Sequence, residues 1–165
     1  MCGNFILPRG EKSLWIFYSS VQLDFTINQF ELLTENLELK LSPDFYIEDI
    51  TYPTNTIMGV NVYSDGFCAS TSMDIDIREL AVFSEKLCQV YDTLSGEARI
   101  EEPYGLHMYL QFIGDGKGHI SVKGLLHGGN RAGNEHTLEF ENSIDQTELR
   151  AFCFALRDAC NDYFK

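Results

Sequence analysis

Between Leu37 and Leu41 the chain alternates strictly, Leu37, Leu39 and Leu41 enclosing Glu38 and Lys40, which is the period of a strand with one buried face. Val21, Leu23, Phe25 and Ile27 alternate with polar residues in the same way. Upstream, Ser13 to Ser19 carries Leu14, Trp15, Ile16, Phe17 and Tyr18 in succession, a run that predicts a strand covered on both sides. Ile57 to Tyr63 and Phe67 to Met73 flank Asp65-Gly66, a dipeptide that supplies the positive φ of a tight hairpin. After Pro103 a second meander is predicted: Leu106 to Ile113, a turn at Asp115-Gly116, Gly118 to Leu126, a glycine-rich loop, and His136 to Phe140. Leu106, Met108, Leu110 and Phe112 share one face of its first strand. Ile120, Val122, Gly124 and Leu126 share one face of the next, and Leu138 and Phe140 of the last.

Twice the period changes to that of a helix, each time behind the same frame, I-D-x-x-E-L-x-x-F, at Ile75 to Phe83 and at Ile144 to Phe152. Asp76 and Asp145 suit N-cap positions, where a short carboxylate accepts from the orphan N–H groups of the first turn. Glu79 and Glu148 follow at the spacing of a capping box, and the pairs Ile75/Leu80 and Ile144/Leu149 at that of a hydrophobic staple. The first helix is predicted from Asp76 to about Ser95, with Leu80, Phe83, Leu87, Tyr91 and Leu94 on one stripe and Gly96 as its stop. The second is predicted from Asp145 to about Phe164, burying Leu149, Phe152, Leu156 and Tyr163. Meander followed by capped helix thus occurs over 56–95 and again over 106–164. Capping box and staple are general start signals, however, and the residues upstream of the two frames do not align. The expected fold is α+β: antiparallel meanders forming a curved sheet, with two amphipathic helices packed on a face. Residues 1–165 are expected to form a single domain, with 1–12 frayed or lying along the surface. The turn-rich stretch from Pro43 to Pro53 is assigned no element.

Composition adds one departure from the ordinary. A 44% hydrophobic, 13% aromatic chain of 165 residues has enough core to fold without cross-links, but 25 acidic against 12 basic residues leave it at −13. A field of that sign repels phosphate, so nucleic acid and anionic membranes are unfavourable partners and a basic protein a favourable one. The five cysteines, Cys2, Cys68, Cys88, Cys153 and Cys160, form no C-x-x-C pair, the pattern of free thiols in a reducing compartment. Cys153 and Cys160 fall on one helical face and are read as core. No apolar run approaches the length of a membrane span, and neither a signal-like leader nor the glycine that myristoylation requires stands at the N-terminus. The expected location is the cytoplasm.

Candidate chemistry is sparse. His107 and His119 fall on polar sides of adjacent predicted strands and would approach each other on the sheet's outer face. Neither strand offers a third His or Cys, and His136 shares a face with Leu138 and Phe140 and is read as a hydrogen-bonded core or edge histidine, so neither a metal nor a cofactor is expected. The loop His127 to Asn134 is glycine-rich, but it leads into a strand rather than a helix N-terminus and lacks the G-K-[ST] ending of a phosphate loop. No nucleophile motif is present. The carboxylates are more suggestive. Glu135, Glu139 and Glu141 lie on the solvent side of a predicted strand, and Glu97, Glu101 and Glu102 cluster before Pro103. These six are the candidate partner-binding residues, a patch that steers a basic partner.

The string L-x-F-x-x-D-G-x-G-H-I-x-V-x-G-x-L from Leu110 to Leu126, followed by H-x-L-x-F at His136 to Phe140 and I-D-Q-T-x-L-x-x-F at Ile144 to Phe152, resembles the WapI-type immunity proteins of bacterial polymorphic toxin systems. Gly118-His119-Ile120 and Asp145-Gln146-Thr147 are its distinctive pieces, and the resemblance runs from Met73 through Leu156, with the frame of the first helix included, over roughly the C-terminal half. The resemblance implies a cytoplasmic protein that binds and neutralises a cognate toxin domain, often a nuclease, and it carries no catalytic residues. Two alternatives remain at this point: a small hydrolase using carboxylates near His107 and His119, and a non-catalytic accessory subunit.

Overall fold

The computed structural model describes residues 29–46, 48, 51–129, 133 and 135–163. The strands expected at Ser13 to Ser19 and at Val21 to Ile27 lie outside the described residues. In chain order the elements are β1 (Phe30–Leu33), β2 (Leu37–Phe45), β3 (Thr56–Ser64), β4 (Phe67–Ile75), α1 (Ile77–Thr93), β5 (Ser95–Glu101), β6 (Tyr109–Asp115), β7 (His119–Gly129), β8 (Glu135–Asp145) and α2 (Gln146–Cys160), closed by a 3-10 turn at Asn161–Tyr163. All strand pairs are antiparallel neighbours in sequence, and the fold is α+β as the patterning predicts.

The strands form two four-stranded sheets, β1-β2-β3-β4 and β5-β6-β7-β8, not the one curved sheet expected. The reason is coverage. Strands lie about 4.8 Å apart, so eight of them span nearly 40 Å, whereas two helices roughly 10 Å across cover only half of that. Splitting the sheet lets the remaining apolar faces cover each other. β4 approaches β7 and β3 approaches β8, while α1 lies against β5 and β6 and α2 against β1 and β8. Ser64 Oγ donates to Asn142 Oδ1 (2.8 Å) and Thr71 Oγ1 to the His127 carbonyl (2.8 Å), tying sheet to sheet.

One core results. Leu39, Leu41, Met58, Val60 and Met73 enter it from the first sheet, Leu110, Phe112, Ile120 and Val122 from the second, and Leu80, Leu87, Leu149 and Leu156 from the helices. Phe112 lies at its centre, with its ring 5.9 Å from that of Phe83 on α1 and 6.1 Å from that of Phe152 on α2. Cys88, Cys153 and Cys160 are buried here as small hydrophobes. Gly124 has no side chain to offer because a Cβ there would overlap the Phe140 ring on the neighbouring strand.

Both helices start where the frames place them. At α2 the Glu148 carboxylate accepts from the Asp145 N–H (2.8 Å), the reciprocal half of the capping box. The first frame is capped differently: Asp76 Oδ1 accepts from the Arg78 N–H (2.8 Å) and the buried Asn55 Oδ1 from the Ile77 N–H (2.8 Å), while Glu79 is exposed. Both staple pairs are buried. At the Asp65-Gly66 turn both residues have positive φ, 46° and 93°, as the tight hairpin requires.

The end of α1 departs from expectation. The helix stops at Thr93 with Leu94 in the left-handed region (φ 59°), and Gly96 already belongs to β5. β5 has no room to begin later, because Ser95 pairs with Asp115 and Gly96 with Gly114. The Leu94 carbonyl accepts from the Gly116 N–H (2.6 Å), which holds the leucine in that conformation. β2 likewise runs through Pro43, buried opposite Met58, into the stretch left unassigned.

Candidate partner-binding face on the second sheet

Register decides which side chains of the second sheet share a face. Glu101 pairs with Tyr109, Tyr109 with Leu125 and Leu125 with Glu139; one step along, Arg99, Gln111, Lys123 and Glu141 form the next row. The even-numbered residues Ile100, Leu110, Val122 and Phe140 point into the core, so every odd-numbered residue of these strands points to the other face. Glu97, Glu101, Glu135, Glu139 and Glu141, five of the six candidate carboxylates, therefore lie on a single surface. Asp115 and Asp145 extend it at one end. Against these seven carboxylates the strands place only two cations, Arg99 and Lys123.

The surface is organised rather than a loose array of charge. Arg99 Nη2 lies 2.7 Å from Glu101 Oε2, with its guanidinium stacked 3.7 Å over the Tyr109 ring. Lys123 Nζ is 3.0 Å from Glu141 Oε1, which also accepts from Ser121 Oγ (2.9 Å). The Lys123 bond first, then that from Ser121, holds the Glu141 carboxyl below the ordinary carboxylate range. Asp115 is held low too, chiefly by the backbone N–H of Lys117 donating to it (2.6 Å). Glu97 accepts only from Gln111 Nε2 (2.8 Å), and neither it nor Glu139 has an ion pair among the described residues. Between the rows, Tyr109, Gln111, Lys123, Glu139 and Glu141 line a shallow depression of about 530 Å³.

Glu102 goes elsewhere. It is 7% exposed, and its carboxylate accepts from the backbone N–H groups of Asp74 (3.1 Å) and Met108 (3.3 Å). It thereby fastens the end of β4 to the β5–β6 connection. Its neighbours in sequence gave no sign of this, because Ala98 and Ile100 are the only marks of a strand in a segment that reads as an acidic cluster.

The histidines do not converge. β6 runs antiparallel to β7 with Tyr109 opposite Leu125 and Gly114 opposite Ile120, so His107, before the start of β6, and His119, opposite its far end, are at opposite ends of the sheet. This removes the premise on which the hydrolase alternative was built. Each meets its own carboxylate: His107 Nδ1 lies 3.8 Å from Glu101 Oε1, and His119 Nδ1 3.4 Å from Asp145 Oδ1. His127 Nδ1 is 3.0 Å from Thr137 Oγ1. His136, expected to share the buried face with Leu138 and Phe140, is exposed, because the start of β8 projects past the core. Among the described residues no three His, Cys, Asp or Glu side chains are placed to hold a metal ion, and no helix is long and apolar enough to cross a membrane. Part of the glycine-rich loop, residues 130–132 and 134, lies outside the described residues.

The family model of the immunity protein WapI-like family matches residues 21–163. The chain belongs to that family. The match extends the resemblance read from Met73 to Leu156 to the first meander as well, and covers most of the chain. No curated protein and no solved structure matches the chain. Membership in the WapI-like family supports a toxin-neutralising immunity role in general, with a toxin protein as the partner.

Proposed function

We propose that this chain neutralises its toxin by binding, seating the carboxylate-rich outer face of β5 to β8 on a basic surface of the toxin domain. The observation that carries the reading is the register that gathers Glu97, Glu101, Glu135, Glu139 and Glu141 on one face, in a chain of net charge −13. A toxin acting on nucleic acid must present cations to phosphate, and an inhibitor of opposite sign both finds that surface quickly and covers it. A nuclease domain is therefore the proposed toxin class, the cytoplasm the proposed location, and catalysis no part of the role. Arg99, Tyr109 and Lys123 add fixed donors and an aromatic face amid the acids, the kind of group that sets orientation.

The test is co-expression of the chain with the toxin domain encoded beside it. Cells carrying both should grow while cells carrying the toxin and an empty vector should not. Equal killing in the two cultures would reject the assignment.

A further inference from the structure

β5 ends at Glu101 and β6 begins at Tyr109, so residues 102–108 connect them. The connection is tied off at its base. The Glu102 N–H donates to the Met108 carbonyl (2.9 Å), and the Glu102 carboxylate accepts from the N–H groups of Met108 (3.3 Å) and of Asp74 on the first sheet (3.1 Å). Inside that closure the backbone turns through Gly105 (φ 84°) and His107 (φ 55°). A left-handed histidine is uncommon and persists only where its surroundings hold it. It also ends the alternation of the strand. Leu106, which spacing places on the buried face with Met108 and Leu110, is 50% exposed, and Tyr104 is 64% exposed.

Isolated exposed apolar side chains are ordinary. These two line one depression of about 320 Å³, together with Thr54, Asp74, Glu102 and Met108. Asp74 is exposed, and its side chain has no hydrogen bond or ion pair among the described residues. A depression that joins apolar side chains to a carboxylate complements a lysine or arginine, whose aliphatic stem packs while its charged end is met. The connection also borders the acidic face: His107 Nδ1 lies 3.8 Å from Glu101 Oε1, and Glu101 shares the first row of that face with Tyr109.

We infer that the β5–β6 connection is the apolar anchor of the toxin contact: Tyr104 and Leu106 pack against the toxin, and the depression they line takes one lysine or arginine side chain, its cation at Asp74. This rests on the immunity reading above and adds to the acidic face a contact that salt does not weaken. Exposed charges speed encounter, whereas buried aromatic and aliphatic groups slow escape. A turn already fixed at its base loses little freedom on binding. A second copy of this chain is the less favourable occupant, since Asp74 and Glu101 would face another body of charge −13.

Surface plasmon resonance of the wild-type chain and its variants on the toxin domain encoded beside it tests this. Tyr104→Ala should raise the dissociation rate by about tenfold or more and Leu106→Ala by about threefold or more, at 1 M salt as at 0.15 M, with association rates within about twofold of wild type. Asp74→Asn should weaken binding by about two- to fivefold at 0.15 M salt, an effect lost at 1 M. All three side chains are exposed, so melting temperatures should stay at the wild-type value. Dissociation of Tyr104→Ala within about twofold of wild type overturns the proposal, and an Asp74→Asn variant that binds as wild type does overturns the placement of the cation. A wild-type chain that sediments as a dimer while Tyr104→Ala sediments as a monomer also overturns it, by identifying a second copy as the occupant. If the wild-type chain does not bind the toxin, the immunity reading fails and this inference with it, a result distinct from the others.

Discussion

Reversing two acidic-face carboxylates that have no ion pair among the described residues should slow toxin association in a strongly salt-dependent way. Glu97 and Glu139 are the residues to change, since Glu101 and Glu141 are already engaged by Arg99 and Lys123. A toxin cation roughly 7 Å from an exposed carboxylate in water contributes about 0.6 kcal/mol before screening. With a Debye length of about 30 Å at 0.01 M salt this falls to about 0.5 kcal/mol, at 0.15 M to about 0.25, and at 1 M to less than about 0.1. A change from Glu to Lys inverts the sign, so each site counts twice. The double variant Glu97→Lys, Glu139→Lys should then associate about 25-fold more slowly than wild type at 0.01 M salt, about fivefold at 0.15 M and less than about twofold at 1 M. Surface plasmon resonance at the three salt concentrations reads this directly, with dissociation rates expected to change much less than association rates. A slowing that persists at 1 M salt, or none at 0.01 M, would refute the electrostatic reasoning.

Phe112→Ala empties the space between the Phe83 and Phe152 rings and should cost about 3–5 kcal/mol in urea unfolding; a loss under about 1 kcal/mol would show that the core is not centred there. Glu102→Ala strands two backbone N–H groups, those of Asp74 and Met108, and should cost about 2–3 kcal/mol. Glu97→Ala, which strands nothing buried, should stay within about 0.5 kcal/mol of wild type in the same assay. At Asp76, partial burial opposes ionisation, but the bonds from the side chain and backbone of Arg78 outweigh it and hold the carboxyl below its ordinary 3.8. A carboxyl lowered by folding stabilises the native state above its unfolded pKa and ceases to do so as pH falls through the folded one. The unfolding midpoint of wild type should therefore exceed that of Asp76→Asn at pH 6, the difference shrinking below about pH 4. Burial raises the Cys153 thiol to about 12 and the Cys160 thiol to about 11, so mass-mapped alkylation of the native protein at pH 8 should label the exposed Cys68 well before either.

What could be read from the sequence follows from how local its causes are. The helix starts were legible because cap and staple are written within six residues of one another, and both lie where the frames put them. The hairpin turn at Asp65-Gly66 and the Leu37 to Leu41 strand were legible for the same reason, one by positive φ and the other by period. The division into two sheets was not, because it depends on how much apolar face two helices can cover, a property of the whole chain. β5 was hidden by composition: Glu97, Arg99 and Glu101 dominate the segment, and only Ala98 and Ile100 mark an inward face. The candidate face was half legible. The outward direction of Glu135, Glu139 and Glu141 follows from alternation within β8, but their meeting with Glu97 and Glu101 needs the register of all four strands. Glu102, one residue past β5, turned inward to satisfy two backbone donors that no sequence pattern announces. The supposed approach of His107 and His119 failed on register as well, since adjacent strands say nothing about which ends face each other.

Under the proposed function the outer face of the second sheet meets the toxin. Carbodiimide cross-linking of the purified complex, which joins carboxylates to lysines in direct contact, should link toxin lysines to Glu97, Glu135 and Glu139. Cross-links confined to carboxylates off that face, such as Glu31 on β1 or Glu79 and Glu85 on α1, would contradict it.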